Sequence, residues 1–362
     1  MSIELEVRNI LKTVKQSSIV ITTSFDEMNE EVLPKDQDKI EDDIKSADDI
    51  YDSVESQNFG YHKKSIRKIC RSEHHLFRYF IDGSLRTYYV AEILESTGSF
   101  PLIFAEVASA ALKRKDGGDL TPFRCKSKYY FIIPKDFCSD TLYNKLISQC
   151  SGEIKVVDSA EYDSKRKSDD LRARAGGKAR HLMHELELEI ADEVFNVMEK
   201  GNLVIIDGSI DNSKFIQAAK DKMIALTKSF SFKPKFTFNN RKYYSVVELI
   251  QDLNVGERTT VFKKRGINLI LWYVRIFEKK SVLEPFQGVV KIEMPYFEDR
   301  YLTPVEINEI DNISGCLLSE VYVNTYPSSR WSSNIYPIAK TEEYMKSKMF
   351  SPLYIRGVIK WT

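Results

Sequence analysis

Apolar residues recur at helical spacing near the N-terminus, where Ile3, Val7, Ile10, Leu11 and Val14 fall on one face. The pattern predicts an amphipathic helical arm within residues 1–25, suited to packing on the main body or to docking a partner. The periodicity then stops. Residues 26–58 are rich in Asp and Glu and poor in large apolar side chains, which predicts a poorly ordered acidic linker. From residue 59 to 362 the chain reads as one folded domain. LFRYFIDGS (76–84) predicts a strand running into a tight turn, and TYYVAEILE (87–95) a second extended run. PLIFAEVASAAL (101–112) is a further apolar element, and KYYFIIPK (128–135) a strand bounded by Pro134. A polar, basic stretch (163–180) precedes a helix expected from about Ala179 to Glu199 and stopped at Gly201.

NLVIIDGS (202–209) is nearly all apolar, as a strand buried on both faces must be. KFIQAAKDKMIALTK (214–228) predicts a helix feeding a strand, and TTVFKKRG (259–266), LILWYVRIF (269–277) and GVVKIEMP (288–295) three more strands. YPIAKTEEYMKSKM (336–349) predicts a helix and YIRGVIKW (354–361) a closing strand. Hairpin-like strands followed by helix–strand alternation predict an α/β fold, a mixed sheet flanked by helices.

Composition and charge narrow the function classes. No run of 18 or more apolar residues is present, so no membrane span is expected, and cytoplasm is the expected location. The five cysteines are scattered without C-x-x-C spacing, which argues against a zinc knuckle or a redox motif. The formal net charge is zero, but with the acidic segment set aside the rest of the chain is net basic. That imbalance keeps a phosphate-bearing partner in view.

Two apolar runs end in the same tripeptide, Phe80-Ile81-Asp82-Gly83-Ser84 and Ile205-Ile206-Asp207-Gly208-Ser209. A carboxylate at the end of a buried strand is costly to desolvate, and two side by side repel unless a divalent cation compensates them. Ordinary Asp-Gly turns are the bland alternative. On the helix before the second run, Glu187 falls in the middle of the apolar face of Met183, Leu186, Ile190, Ala191, Val194, Val197 and Met198, while Glu185 and Glu189 point to solvent. A Glu in that position must pair with a base, be protonated or bind metal. An ion pair with an upstream arginine is the competing explanation.

These features, in this order, resemble the NurA family of nucleases. FIDGS at 80–84, the Glu187 helix and LVIIDGS at 203–209 carry the resemblance, followed by ALTKSF at 225–230, GERTTVF at 256–262, WYVRI at 272–276 and YPIAK at 336–340. It spans roughly residues 74 to 350. It implies an RNase H-like fold and manganese- or magnesium-dependent cleavage of DNA by a homodimer. It also implies a HerA-type hexameric ATPase as partner, in DNA end processing or anti-phage defence. Family members carry a His shortly after the C-terminal Tyr-Pro. This chain has none beyond His184, and Glu342 or Glu343 stands in that stretch instead. Mn²⁺ and Mg²⁺ accept oxygen ligands, so a carboxylate can replace the imidazole.

Two ions about 4 Å apart would activate water and clamp an in-line displacement. Asp82 is expected to bridge them, with Glu187, Asp207 and Glu342 completing the set. Lys228 and Tyr336 are expected at the scissile phosphate, and Arg86, Arg180, Lys263 and Lys264 on the nucleic acid. Basic runs interleaved with aromatics, as at 233–244 and 263–265, could also stack unpaired bases. His74, His75, His181 and His184 read as structural or exposed. No nucleophile elbow or phosphate-binding Gly-rich loop appears, so any ATP use belongs to a partner. The alternative function is an inactive RNase H-like scaffold within a translocase complex.

Overall fold

The computed structural model describes residues 3–22, 49–73, 75–96, 98–116, 118–150, 152–162, 170–211, 213–219, 222–239, 242–278, 286–321 and 334–360. Helix α1 (Ile3–Ser17) leads into strand β1 (Ile19–Thr22), and β2 (Ile50–Ser53) and β3 (Lys63–Ser65) follow. Three long strands come next: β4 (Phe77–Glu95), β5 (Gly98–Arg114) and β6 (Leu120–Ile133). Helix α2 (Asp140–Gln149) connects to β7 (Ile154–Asp158). The long helix α3 (Leu171–Phe195) precedes β8 (Leu203–Asp207), and α4 (Ser213–Ala219) precedes β9 (Met223–Thr227). Then come β10 (Lys235–Thr237), β11 (Tyr243–Ser245), α5 (Val246–Ile250), β12 (Glu257–Thr259), β13 (Phe262–Lys264), β14 (Leu269–Arg275) and β15 (Val289–Pro295). Helices α6 (Pro304–Leu317), α7 (Tyr336–Lys346) and α8 (Pro352–Ile359) complete the described chain.

Among the described residues fifteen strands join one mixed sheet, whose main path is β11-β10-β2-β13-β14-β15-β9-β8-β4-β5-β6-β7. The antiparallel β4–β5–β6 meander is continued on the other side of β4 by β8 and β9, both parallel to it. Parallel neighbours need crossovers, and α3 and α4 supply two of them. Helices cover both faces. Ile190, Ala191 and Val194 of α3 pack with Tyr79, Ile81, Val204 and Ile206 on one face. Ile313 of α6 and Ile338 of α7 pack with Phe80, Ile205, Leu226 and Trp272 on the other. A mixed sheet flanked by helices is therefore the observed architecture, as the alternation of elements predicts.

The N-terminal helix is part of the body. Val7, Ile10 and Val14 are fully buried against Phe100, Phe104 and Ile355, each contributing about 1.5–3 kcal/mol. The acidic segment is shorter as a linker than its composition suggests. Residues 26–48 lie outside the described residues, but Ile50–Ser53 is a strand between β10 and β13. Tyr51 packs in the core there and Glu55 receives both ends of the buried Arg258 guanidinium.

Two other expectations are corrected. The helix α3 starts eight residues earlier than expected and ends four residues earlier, with Asp170 as its N-cap. Its Ala175, Gly176, Gly177 and Ala179 are buried, and the small side chains let it lie close on Ile103, Ala105 and Val107. Glu185 and Glu189 point to solvent as expected, where Glu189 pairs with Lys126 and Lys128 of β6 and Glu185 with His181 and Lys214. The expected last strand is instead helix α8, with Ser351 capping it and Ile355, Val358 and Ile359 on its buried side.

Candidate active site

Register places the two aspartates side by side. Ile81 of β4 lies opposite Ile206 of β8, so Asp82 and Asp207 are the next residues on adjacent parallel strands. Alternation puts both on the face of Phe80 and Ile205, beneath α7. The two Asp-Gly-Ser sequences nevertheless do different things. Asp207 ends β8, and Gly208 turns the chain at φ 101°, a conformation that favours glycine. Asp82 is not at a strand end. Asp82, Gly83 and Ser84 continue inside β4, paired with Ala110, Ser109 and Ala108 of β5.

Gly83 serves a close approach, not a turn. It faces α3, and the Glu187 carboxylate lies directly over it: a Cβ at this position would meet Oε1 and lie 2.8 Å from Cδ. Glu187 is 2% exposed, and its Oε2 is 2.8 Å from Nδ1 of His184, one turn earlier. Its partner is a histidine, not the upstream arginine of the competing explanation.

Asp82 is 7% exposed. Burial pushes its carboxyl well above the ordinary carboxylate range, the charges of Asp207, Glu187 and Glu342 push the same way, and Lys228 opposes them. Four carboxylates and one lysine therefore share a field. Lys228, just past β9, donates to Asp207 Oδ2 at 2.9 Å. Glu342 is half-buried on α7 and bonded to Lys346 at 2.6 Å; Glu343 is exposed and paired with Lys340. Thr341, beside Glu342, is fully buried over β4 and reaches the Phe80 carbonyl at 3.5 Å.

The donor set suits a hard divalent cation: all oxygen, mostly half-buried or buried, with one lysine against four carboxylates. As the side chains stand, no group of three or more His, Cys, Asp or Glu among the described residues is set to hold a metal ion. Asp207 is turned to Lys228 and Glu187 to His184. A cation held here would have to draw those carboxylates from their partners.

The remaining expected residues divide. Arg86, on the Asp82 face of β4, is half-buried and donates to the Phe350 carbonyl, with Glu106 Oε2 at 3.6 Å. Tyr336 opens α7, about 9 Å along the helix from Glu342, with Arg71 and Lys340 over its ring. Arg180 is half-buried on α3. Lys263 donates to Asp299 at 2.5 Å and is mostly covered. Lys264 does not face outward at all: it is buried between Asp49 and Asp211, at 2.8 and 2.5 Å, and is a structural ion-pair partner. His75 is buried beside Glu320, as a structural reading expects, whereas His74 lies outside the described residues.

Sequence reasoning missed Glu293. It is buried in β15, yet Ser209 Oγ donates to it at 2.6 Å, the Ile210 N–H at 3.0 Å, and Lys291 lies 2.7 Å away. Burial works against its charge, but Lys291 and these donors hold its carboxyl below the ordinary range. It fixes the turn that carries Asp207. Its signal was a Lys-x-Glu pair, two residues apart and so on one face, inside an otherwise apolar strand. No protein-family model matches the sequence, and no curated protein matches it.

Proposed function

We propose that the chain is a divalent-metal-dependent deoxyribonuclease of the NurA type, with an RNase H-like domain. One observation carries this reading: Asp82 and Asp207 occupy neighbouring positions on parallel strands, and the field at Asp82 includes Glu187 and Glu342. This supports a shared site: the two aspartates picked out by the Asp-Gly-Ser runs are neighbours, and the charge of Glu187, from the α3 stripe, is felt at Asp82. Glu342 joins them from the helix where family members have histidine. Asp82, Asp207, Glu187 and Glu342 would hold Mn²⁺ or Mg²⁺, which when bound supplies an activated water and charge for the leaving oxygen.

The chain's own residues supply the rest. Lys228, at the same face as Asp207, is placed to neutralise a phosphate once its carboxylate partner turns to a cation. Arg86 lies farther along the Asp82 face and would contact the backbone beyond the cleaved bond. A homodimer acting with a HerA-type hexameric ATPase, in end processing or defence, completes the proposal and rests on the resemblance alone.

A second reading has its own support. Lys228 already neutralises Asp207, and the described carboxylates are not poised as ligands. A scaffold that kept this fold inside a translocase complex without activity would look like this. Degradation of linear DNA decides. The nuclease reading expects Mn²⁺-dependent cleavage that falls more than roughly 100-fold in Asp82→Ala and Asp207→Ala. Wild type and both variants equally inert, with and without a HerA-type ATPase, would establish the scaffold.

A further inference from the structure

At the far end of the sheet, β13 and the segment before α6 enclose an open groove of about 610 Å³, within the size range of ligand sites. Sequence runs that are far apart meet there. Tyr243, at the start of β11, and Tyr301 line it, and the two residues are 50% and 44% exposed. The Tyr301 hydroxyl donates to Asn239 Oδ1 at 3.2 Å, which anchors the ring at the groove wall. Lys263, Arg265 and Arg300 bring positive charge, and Lys264 forms part of the lining while pairing with Asp211, four residues beyond Asp207. Lys264 is already neutralised there, so three cations, Lys263, Arg265 and Arg300, stand against two carboxylates in the lining, Asp52 and Asp299.

The cations are not idle. Arg265 holds Asp52, Arg300 holds Glu306, and Lys263 holds Asp299. Asp299 is almost fully exposed, however, so an anion entering the groove can take its place on the mostly covered Lys263 ammonium. Two exposed rings among cations form a platform for bases with a phosphate path beside it. A duplex hides its base faces and cannot use such rings, whereas unpaired nucleotides can.

We propose that this groove binds single-stranded nucleic acid, stacking bases on Tyr243 and Tyr301 and placing phosphates at Lys263 and Arg265. The proposal rests on the nuclease reading for the identity of the strand, and its test needs no cleavage.

The full chain in EDTA is titrated with fluorescent oligothymidylate, with a duplex of equal length and with thymidine monophosphate as competitors. Tyr243→Ala and Tyr301→Ala are each expected to weaken oligothymidylate binding roughly tenfold and to leave duplex binding unchanged. The mononucleotide should compete only weakly; competition at equal nucleotide concentration would mean a free-nucleotide site and overturn the proposal. Unchanged oligothymidylate affinity in variants that melt as wild type does would also overturn it. Photocrosslinking of the wild-type chain to an oligonucleotide containing 5-iododeoxyuridine guards against folding artefacts. Adducts on Tyr243 or Tyr301 support the groove, and adducts confined elsewhere refute it. Because binding is read without metal, a chain that binds here but never cleaves separates the two claims.

Discussion

The Glu187 carboxylate occupies the space that a side chain on Gly83 would need, with Cδ 2.8 Å from the position of the absent Cβ. Helix α3 and strand β4 can bring a fourth acidic charge beside Asp82 only because residue 83 has no side chain. Gly83→Ala must therefore displace Glu187 and Met183, whose Cγ would be 2.9 Å away. Overpacking of this kind costs about 1–3 kcal/mol. Gly357 is the control: it lies in α8 with open space around it, and Gly357→Ala should be stabilising by up to about 1 kcal/mol. Urea unfolding midpoints of the two variants should move in opposite directions.

Glu293 makes a stronger demand. In Glu293→Ala the mostly covered Lys291 ammonium and the Ser209 and Ile210 donors lose this acceptor together. Breaking such a buried pair from one side costs about 3–5 kcal/mol. Adding Lys291→Met should recover part of that loss, because the stranded charge goes with it. A double variant less stable than Glu293→Ala would contradict the assignment.

Acid sensitivity should trace in part to Glu306. Arg300 beside it and the Thr303 capping box hold its carboxyl down to about 2, against an ordinary 4.5. The folded value lies below the unfolded one, so this contribution is whole above about pH 4.5 and is lost as pH falls towards 2. Glu306→Gln keeps a capping group but not the charge, and should cost about 1 kcal/mol at pH 7. The difference between variant and wild type should hold steady down to about pH 5 and shrink below it. Parallel stability curves to pH 2 would exclude this role.

Much of this was legible in the sequence because local pattern and global packing agree. Apolar runs marked β5, β6, β8, β9, β14 and β15, and the α3 stripe placed Glu187 in the core. What failed was whatever depends on a neighbour distant in the chain. Gly83 looked like a turn glycine because nothing near it in sequence reveals that Glu187 lies over it. Lys264 looked like a surface cation, since its partners Asp49 and Asp211 lie far away along the chain. YIRGVIKW has apolar residues that suit either a strand or a short helix. Pro352 and the Ser351 cap decide for the helix.

The central claim is that Asp82, Asp207, Glu187 and Glu342 close on a divalent cation. Anomalous difference maps from crystals soaked in Mn²⁺ test it most directly. The account predicts a peak within ligand distance of Asp82 and Asp207, with Asp207 turned away from Lys228 and Glu187 or Glu342 drawn inward. Well-ordered side chains with the Lys228–Asp207 and His184–Glu187 pairs intact, and no peak between the two aspartates, would contradict it.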